Sequence, residues 1–375
     1  MGNNKMKILH IVKSLGRGGA EMLLQETLKQ HDQAKFEFHY IFFLPWKDQM
    51  VEGLKAAGGK VTNFPAKNNI SIMLQAPKII RYIKEHKIEL VHCHLPWAGF
   101  VGRLIHKLNG IPVFYSEHNK QERYHFLTKT INRITFNWQT RVIAVSNDVA
   151  ESIEKNIHPR IPVQTILNGV NTTHFVRNQS LGDALRKEYN IDPGAVLIGT
   201  IAVFRFQKRL KEWIDVFKSL EQKFPGIKGC IVGDGILNNE IRTYLKQQEM
   251  EDKILLPGLQ TNVLPWLSAM DIFMMTSEFE GLPVALLEAM SMECAVVCTD
   301  AGGIKEVIRD QQDGFMLPVP QWKELETPLS NLIQNKALIR TYGEKARRRV
   351  QESFSLKAMV QETEDAYEAI QKSKK

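Results

Sequence analysis

Long apolar runs are missing from this 375-residue chain: no stretch of about 18 consecutive apolar residues occurs, so nothing in it reads as a membrane-spanning helix. Cysteine is scarce as well. Cys93, Cys230, Cys294 and Cys298 all sit in apolar runs, and no C-x-x-C occurs. That excludes a disulfide framework and a Cys/His metal pattern, and it points to reduced core thiols in a reducing compartment, with the cytoplasm as the expected location. D-x-D, the carboxylate pair that would hold a divalent ion beside a diphosphate, is absent, so neither a metal nor a cofactor is expected. There is no low-complexity tract and no short repeat. No apolar leader follows the N-terminus, because Gly16, Gly18 and Gly19 end the short run Ile8–Val12. Met1-Gly2 opens like a myristoylation signal, but Met6 stands where Ser or Thr is needed. Acidic residues are short in the first half only. Residues 1–176 carry 23 Lys/Arg against 13 Asp/Glu, a net of +10, whereas residues 177–375 carry 26 against 28, a net of −2. An acidic partner is therefore expected to meet the first half.

What is present is alternation. Strand-like runs at 6–12, 36–44, 88–94, 111–118 and 141–146 are separated by helical stretches near 20–30, 48–57, 72–86, 97–109 and 124–140. A turn-rich stretch, 167–184, interrupts the pattern. It then restarts, with strands expected at 195–204, 227–235, 253–258, 271–277 and 295–302, a helix at 211–224, and a mostly helical end over 322–371. Such alternation predicts parallel sheets covered on both faces, hence two doubly wound α/β domains joined by a hinge, with ligands outside the carboxyl ends of the strands. The expected division is 1–175, 176–355 and a C-terminal helical segment, 356–375, that packs back on the first domain.

Several segments lie where such strands end. "EFEGLPVALLEAM" (278–290) sets Glu280 and Glu288 on either side of Gly281-Leu282-Pro283. Pro283 suits a helix start, which leaves backbone N–H groups of Gly281, Leu282 and Val284 free to meet an anion. Alternatively, Glu280 only complements the helix dipole and Glu288 is a solvated helix acid. "SLGRGGAE" (14–21) lets a phosphate or sugar approach the backbone at Gly18 and Gly19, or is a plain tight turn. It is a poor dinucleotide fingerprint, since Glu21 fills the sixth position and no acid ends the second strand. "FRFQKRLKEW" (204–213) clusters Arg205, Lys208 and Arg209, a clamp for a diphosphate or a solvated helix start. "DAGGIKEVI" (300–308) is another Gly pair at a strand end, with Glu306 facing inward or capping. His118 ends the strand in "YSEHN", and His92 and His94 end another; each is either a hydrogen-bonded structural residue or, for His118, a catalyst.

In this order, "GRGGAE", "SEHN", "AVSNDV", "ILNGV", "QKRLKEWI", "IVGDG", "LLPG", "DIFMMTSEFEGLPVALLEAM" and "AGGIKEVI" resemble the retaining family 4 glycosyltransferases, also called group 1, over nearly the whole chain. The resemblance implies the GT-B fold, two Rossmann-like domains facing each other across a cleft, the first binding acceptor and the second the nucleotide sugar. It implies that Glu280 contacts the transferred sugar, with the N–H groups of Gly281 and Leu282 nearby, that Glu288 binds the ribose, and that Lys208 holds the donor diphosphate. Gly18 and Gly19 would approach the donor phosphate and the acceptor, and His118 the donor sugar and reacting centre. Two departures stand out: Val203 replaces an Arg usual five residues before Lys208, leaving Arg205 to supply that charge, and Asn171 replaces an Asp. By the same resemblance, a UDP- or GDP-sugar would donate to a glycan or polyprenyl-diphosphate-linked acceptor in cell-surface polysaccharide assembly, with retention, without metal, and with no nucleic-acid partner. A nucleotide-sugar epimerase and a non-catalytic sugar-nucleotide-binding protein are the competing classes. Residues 120–141 add a further expectation. Leu127, Ile131, Ile134 and Trp138 form one apolar stripe, with Lys129 and Arg133 on another face. The stripe either packs on its own sheet or lies on an anionic bilayer, making the chain peripheral at the inner face of the plasma membrane.

Overall fold

Runs rich in Val, Ile and Phe form parallel strands here because both of their faces are covered. The computed structural model describes residues 5–16 and 18–372. In the first half, β1 (Met6–Ile11), β2 (Phe36–Phe42), β3 (Lys60–Asn63), β4 (Leu90–His94), β5 (Val113–Glu117), β6 (Arg141–Ala144) and β7 (Val163–Thr165) pair in the order 3-2-1-4-5-6-7. In the second half, β8 (Leu197–Ile201), β9 (Lys228–Val232), β10 (Ile254–Leu255), β11 (Ile272–Met275), β12 (Ala295–Asp300) and β13 (Phe315–Pro318) pair in the order 10-9-8-11-12-13. All these pairings are parallel. Both sheets are thus doubly wound, the α/β class that the alternation predicts.

Two compact units result: residues 1–168 with 356–375, and residues 169–355. In the first, successive residues of each strand serve opposite cores. Ile8, Phe38, Tyr40 and Leu90 join one cluster, while Leu9, Ile11, Ile41, Val91 and Cys93 join the other. The helix Leu356–Lys372 closes the first cluster. Glu364 accepts from His31 Nδ1 at 2.9 Å and from the N–H of Asp32 at 2.8 Å, and Tyr367 is fully buried. The second unit holds a core around Trp213, Phe217, Ile231, Met274 and Leu329.

Three differences from the sequence expectation have local causes. The edge strands β3, β7 and β13 were not expected; they are only partly buried, so they carry no apolar run. The helix expected over 72–86 is two helices, Asn69–Met73 and Ala76–His86. A capping box between Asn68 and Ser71 starts the first, and Pro77 sits in the opening turn of the second. The helix expected from Pro283 begins at Val284, with Pro283 as its N-cap at φ −74° and ψ 114°. All four cysteines are buried and unpaired.

Candidate functional site

In the second unit the chain winds outward from β8 in one direction and from β11 in the other, so the crevice between those two neighbours is the topological switch point. Lys208 follows β8 in the one-turn helix Phe206–Lys208, and Glu280 follows β11. They meet there: Lys208 Nζ donates to Glu280 Oε1 at 2.6 Å, both side chains being mostly buried. Ser277 Oγ donates to the same oxygen at 2.7 Å. The two loops are bound to each other. Thr276 Oγ1 donates to the carbonyls of Lys208 and Arg209, Glu278 N–H to that of Gln207 at 2.7 Å, and Gly303 N–H to that of Glu280 at 3.4 Å. A cation and a carboxylate are thereby fixed on facing loops with little freedom left to lose when a ligand arrives.

The neighbouring groups sort into those left exposed and those already engaged. Arg205 is exposed on the same loop, whereas Arg209 is turned to Glu212 at 3.0 Å and to the carbonyl of Val319. Of the basic cluster, Arg205 is thus exposed, Lys208 is held by Glu280 at the switch point, and Arg209 is directed elsewhere. Glu288 lies half-buried in the helix Val284–Ser291, which begins beside Gly281, Leu282 and Pro283. The "GDG" turn is explained by packing. Gly233 has φ 136°, and a Cβ on it would lie 1.9 Å from the carbonyl oxygen of Ala202, so only glycine lets this turn close against the loop after β8. The helix opened by Gly302-Gly303 is only four residues long, Ile304–Val307, too short to make an anion site by itself.

In the first unit the switch point lies between β1 and β4. Gly18 is the N-cap of the helix Gly19–Gln30, after β1. β1 and β4 pair His10 with His92, and His94 lies two residues further along the same face. His10 Nδ1 and His94 Nε2 share a hydrogen bond of 2.9 Å, while His92 bonds Tyr367 OH at 2.6 Å and Ser116 Oγ at 2.8 Å. These rings and His118 line a cavity of about 40 Å³, large enough for water. Leu95, at the end of β4, holds φ 68° and ψ 158°, a conformation that a branched side chain keeps only when its surroundings impose it. His118 lies at the end of β5, its ring 5.9 Å from that of His94, and its Nε2 is buried without a partner. Burial lowers its pKa to about 4, so the ring is neutral and has one nitrogen to offer. The loop that carries it hangs on Glu117, which lies on the opposite face of the sheet. That carboxylate accepts from the N–H groups of His118 and Asn119, the hydroxyls of Tyr115 and Tyr124, and Gln121 Nε2. Five donors suit an ionised carboxylate, although burial pushes its pKa up.

His10, His92 and His94 also bring one nitrogen each within 4.8 Å of one another, a grouping that the sequence spacing did not disclose. Both nitrogens of His92 are already hydrogen-bonded, so the trio is better described as a hydrogen-bonded stack than as a vacant ligand set. Its titration is a stability prediction. Burial, then neighbouring imidazoles, hold His92 at about 3 and His10 and His94 well below their ordinary value of 6.5. The unfolded rings take up protons as pH falls below about 6.5 while the folded rings stay neutral, so stability is full above that pH and declines from there towards about pH 3, where folded His92 takes up its own proton. Glu117, with its raised pKa, opposes this between its folded pKa and the ordinary carboxylate value, where the folded carboxyl is protonated and the unfolded one is not. Urea unfolding midpoints at pH 7.5, 6.0 and 5.0 should fall in that order, and less steeply in His10→Gln; a flat wild-type profile would contradict the neutral stack.

Comparison with known proteins covers both units. The model for Glycosyltransferase Family 4 matches residues 17–174, and that for Glycosyl transferases group 1 matches residues 183–349. The chain is 31% identical over 229 residues to N-acetyl-alpha-D-glucosaminyl L-malate synthase of Bacillus anthracis, covering 60% of this chain and 58% of that one. It is 23% identical to the UDP-Gal:alpha-D-GlcNAc-diphosphoundecaprenol alpha-1,3-galactosyltransferase of Escherichia coli, covering 80% of this chain and 81% of that one. Among solved structures, Anabaena Alr3699/HepE in complex with UDP and glucose superposes with a TM-score of 0.87 at 19% identity, covering 97% of this chain and 100% of that one. With a doubly wound sheet in each unit and a family match along each, the chain has the GT-B fold and belongs to the family 4, group 1 glycosyltransferases.

Proposed function

We propose that this glycosyltransferase moves a sugar, with retention of configuration and without a metal ion, from a UDP- or GDP-sugar to a glycan or polyprenyl-diphosphate-linked glycan in cell-surface polysaccharide assembly. The observation that carries the reading is the Lys208–Glu280 pair at the switch point of the second unit. A nucleoside diphosphate leaves in such a reaction, and negative charge grows on its oxygens. Lys208, with Arg205 beside it, stabilises that charge. Glu280 gives up its ion pair to hold hydroxyls of the sugar, and Glu288 holds the ribose, with the N–H groups of Gly281 and Leu282 close by. Gly18 and Gly19 serve the donor phosphate and the acceptor. His118 presents its neutral ring to the sugar near the reacting centre. The acceptor hydroxyl attacks the face that the diphosphate leaves, through an oxocarbenium-like state, and a donor phosphate oxygen takes its proton. A diphosphoundecaprenol-linked substrate in the name of the Escherichia coli relative supports the acceptor class.

A thermal-shift screen of UDP-, GDP- and ADP-sugars identifies the donor, because a ligand that binds the folded state raises the apparent melting temperature. With that donor, transfer should survive excess EDTA. Loss on chelation, restored by Mg²⁺ or Mn²⁺, would move leaving-group stabilisation from Lys208 to a divalent ion. The anomeric configuration of the product, read by NMR, should match that of the donor; inversion would reject the same-face mechanism. Conversion of donor to an epimer without any acceptor would replace transfer with epimerisation.

A further inference from the structure

Two lysines stand together at the carboxyl edge of the first sheet, outside the histidine cavity. Lys13 follows β1 and Lys47 follows β2. Main-chain bonds tie the two loops side by side: the N–H groups of Phe43 and Leu44 donate to the carbonyl of Lys13, Leu15 N–H donates to Lys47 at 2.9 Å, and Met50 N–H to Leu15 at 2.9 Å. Lys47 lies along the Gly16 turn, where a Cβ on Gly16 would sit 3.7 Å from its Cβ. Among the described residues, neither lysine has a carboxylate within ion-pairing distance. Lys13 Nζ instead donates to Asn69 Oδ1 at 2.9 Å. Asn69 opens the helix Asn69–Met73, and the next residue, Ile70, is 72% exposed. Leu74, one helical turn on, is 71% exposed, and its N–H donates to the carbonyl of Ile70 at 3.1 Å, so both project from one face. A pair of unneutralised cations therefore borders an apolar step.

We propose that Lys13 and Lys47 bind the diphosphate of the acceptor, and that Ile70 and Leu74 carry the first part of the apolar chain attached to it. The proposal deepens the transfer reading by assigning the acceptor a subsite on the first unit. Two like charges without a carboxylate are a standing repulsion that an anion relieves. Consistent with this, burial, and after it the charge of Lys47, lowers the pKa of Lys13. A single phosphate or a sugar alone would not explain the apolar pair. A diphosphate ester of an isoprenoid alcohol has both parts in the right order.

Farnesyl diphosphate and inorganic pyrophosphate serve as probes by isothermal titration, with the full chain held saturated with UDP so that the donor site is filled. Wild type should bind farnesyl diphosphate more tightly than pyrophosphate. In Lys13→Gln with Lys47→Gln, both affinities should fall about 30-fold, roughly fivefold for each cation. In Ile70→Ser with Leu74→Ser, farnesyl diphosphate should lose about tenfold and pyrophosphate nothing. Affinity for UDP should be unchanged in both variants, which also reports that they fold. Equal pyrophosphate affinity in wild type and the double lysine variant overturns the subsite, as does equal farnesyl diphosphate affinity in the Ile70/Leu74 variant. The transfer reading fails differently. If no nucleotide sugar binds but farnesyl diphosphate still depends on both lysines in titrations without UDP, the subsite stands and the donor assignment falls.

Discussion

Lys208→Ala is expected to lower kcat by about 100- to 1,000-fold, the usual loss when one preorganised group facing a developing oxyanion is removed. Two effects of opposite sign meet in that variant. The diphosphate loses its cation, and Glu280 loses the partner that donates to it at 2.6 Å. Glu280→Gln separates them. The amide is isosteric, keeps an acceptor for Ser277, and leaves Lys208 free, so nucleotide affinity should hold or improve while kcat falls, because the sugar hydroxyls lose a charged acceptor. Glu288→Ala, in the helix that follows, should mainly weaken donor binding. Steady-state kinetics with the donor found by the stability screen, together with UDP binding to each variant, give the three patterns. Near-normal kcat in both Lys208→Ala and Glu280→Gln would remove the pair from the mechanism.

The pair shows how far the sequence could be followed. Its members are 72 residues apart: Lys208 stands out in a basic cluster after an apolar run expected to end at a binding edge, and Glu280 as one of two carboxylates across the Gly281-Leu282-Pro283 turn at a helix start. Parallel α/β sheets collect the ends of their strands, so position relative to a strand singles out Lys208, while Glu280 is singled out by the helix start that follows it. Their contact was not legible, because it depends on β8 and β11 being neighbours, a consequence of sheet order rather than of local pattern. The same holds for His10 and His92, which are paired across β1 and β4. The central strands were legible since both of their faces are covered, and of the four edge strands β3, β7 and β13 were not because they are half-solvated, whereas β10 buries Ile254. Glu117 was visible only as part of a motif. That it gathers four donors besides Tyr115 requires the loop 118–124 to fold back over its carboxylate.

We propose that the exposed apolar face of the helix Phe126–Thr135 attaches the chain to anionic membranes, so that removing it should abolish attachment without unfolding the protein. The stripe read from the sequence divides in the structure. Trp138 lies beyond the helix and packs under Lys107, whose Nζ is 5.4 Å from the ring centroid, and Ile131 is half-buried. Phe126, Leu127 and Ile134 are 79%, 55% and 66% exposed. The residue that this helix buries is Asn132, held by Arg103 Nη1 at 2.6 Å and by Gln121. Its amphipathicity is thus reversed, with a polar anchor inward and large apolar side chains outward. Water does not favour that arrangement, but a bilayer interface does, and Arg123 and Arg133 are exposed nearby to meet anionic headgroups. No helix among the described residues is long and apolar enough to cross a membrane, so attachment would be lateral. Phe126→Ser, Leu127→Ser and Ile134→Ser together should cut partitioning onto phosphatidylglycerol-containing vesicles by about 1,000-fold or more, since burying each such side chain contributes about 1.5–3 kcal/mol. Unfolding midpoints should barely move, as surface changes stay within about 0.5 kcal/mol. Lys129→Glu with Arg133→Glu should weaken co-sedimentation at low salt by about 1 kcal/mol or more per reversed charge, and raising the salt should weaken the wild type in the same direction. A wild-type protein that ignores anionic vesicles at low salt would instead assign the exposed face to a protein partner and favour a soluble acceptor.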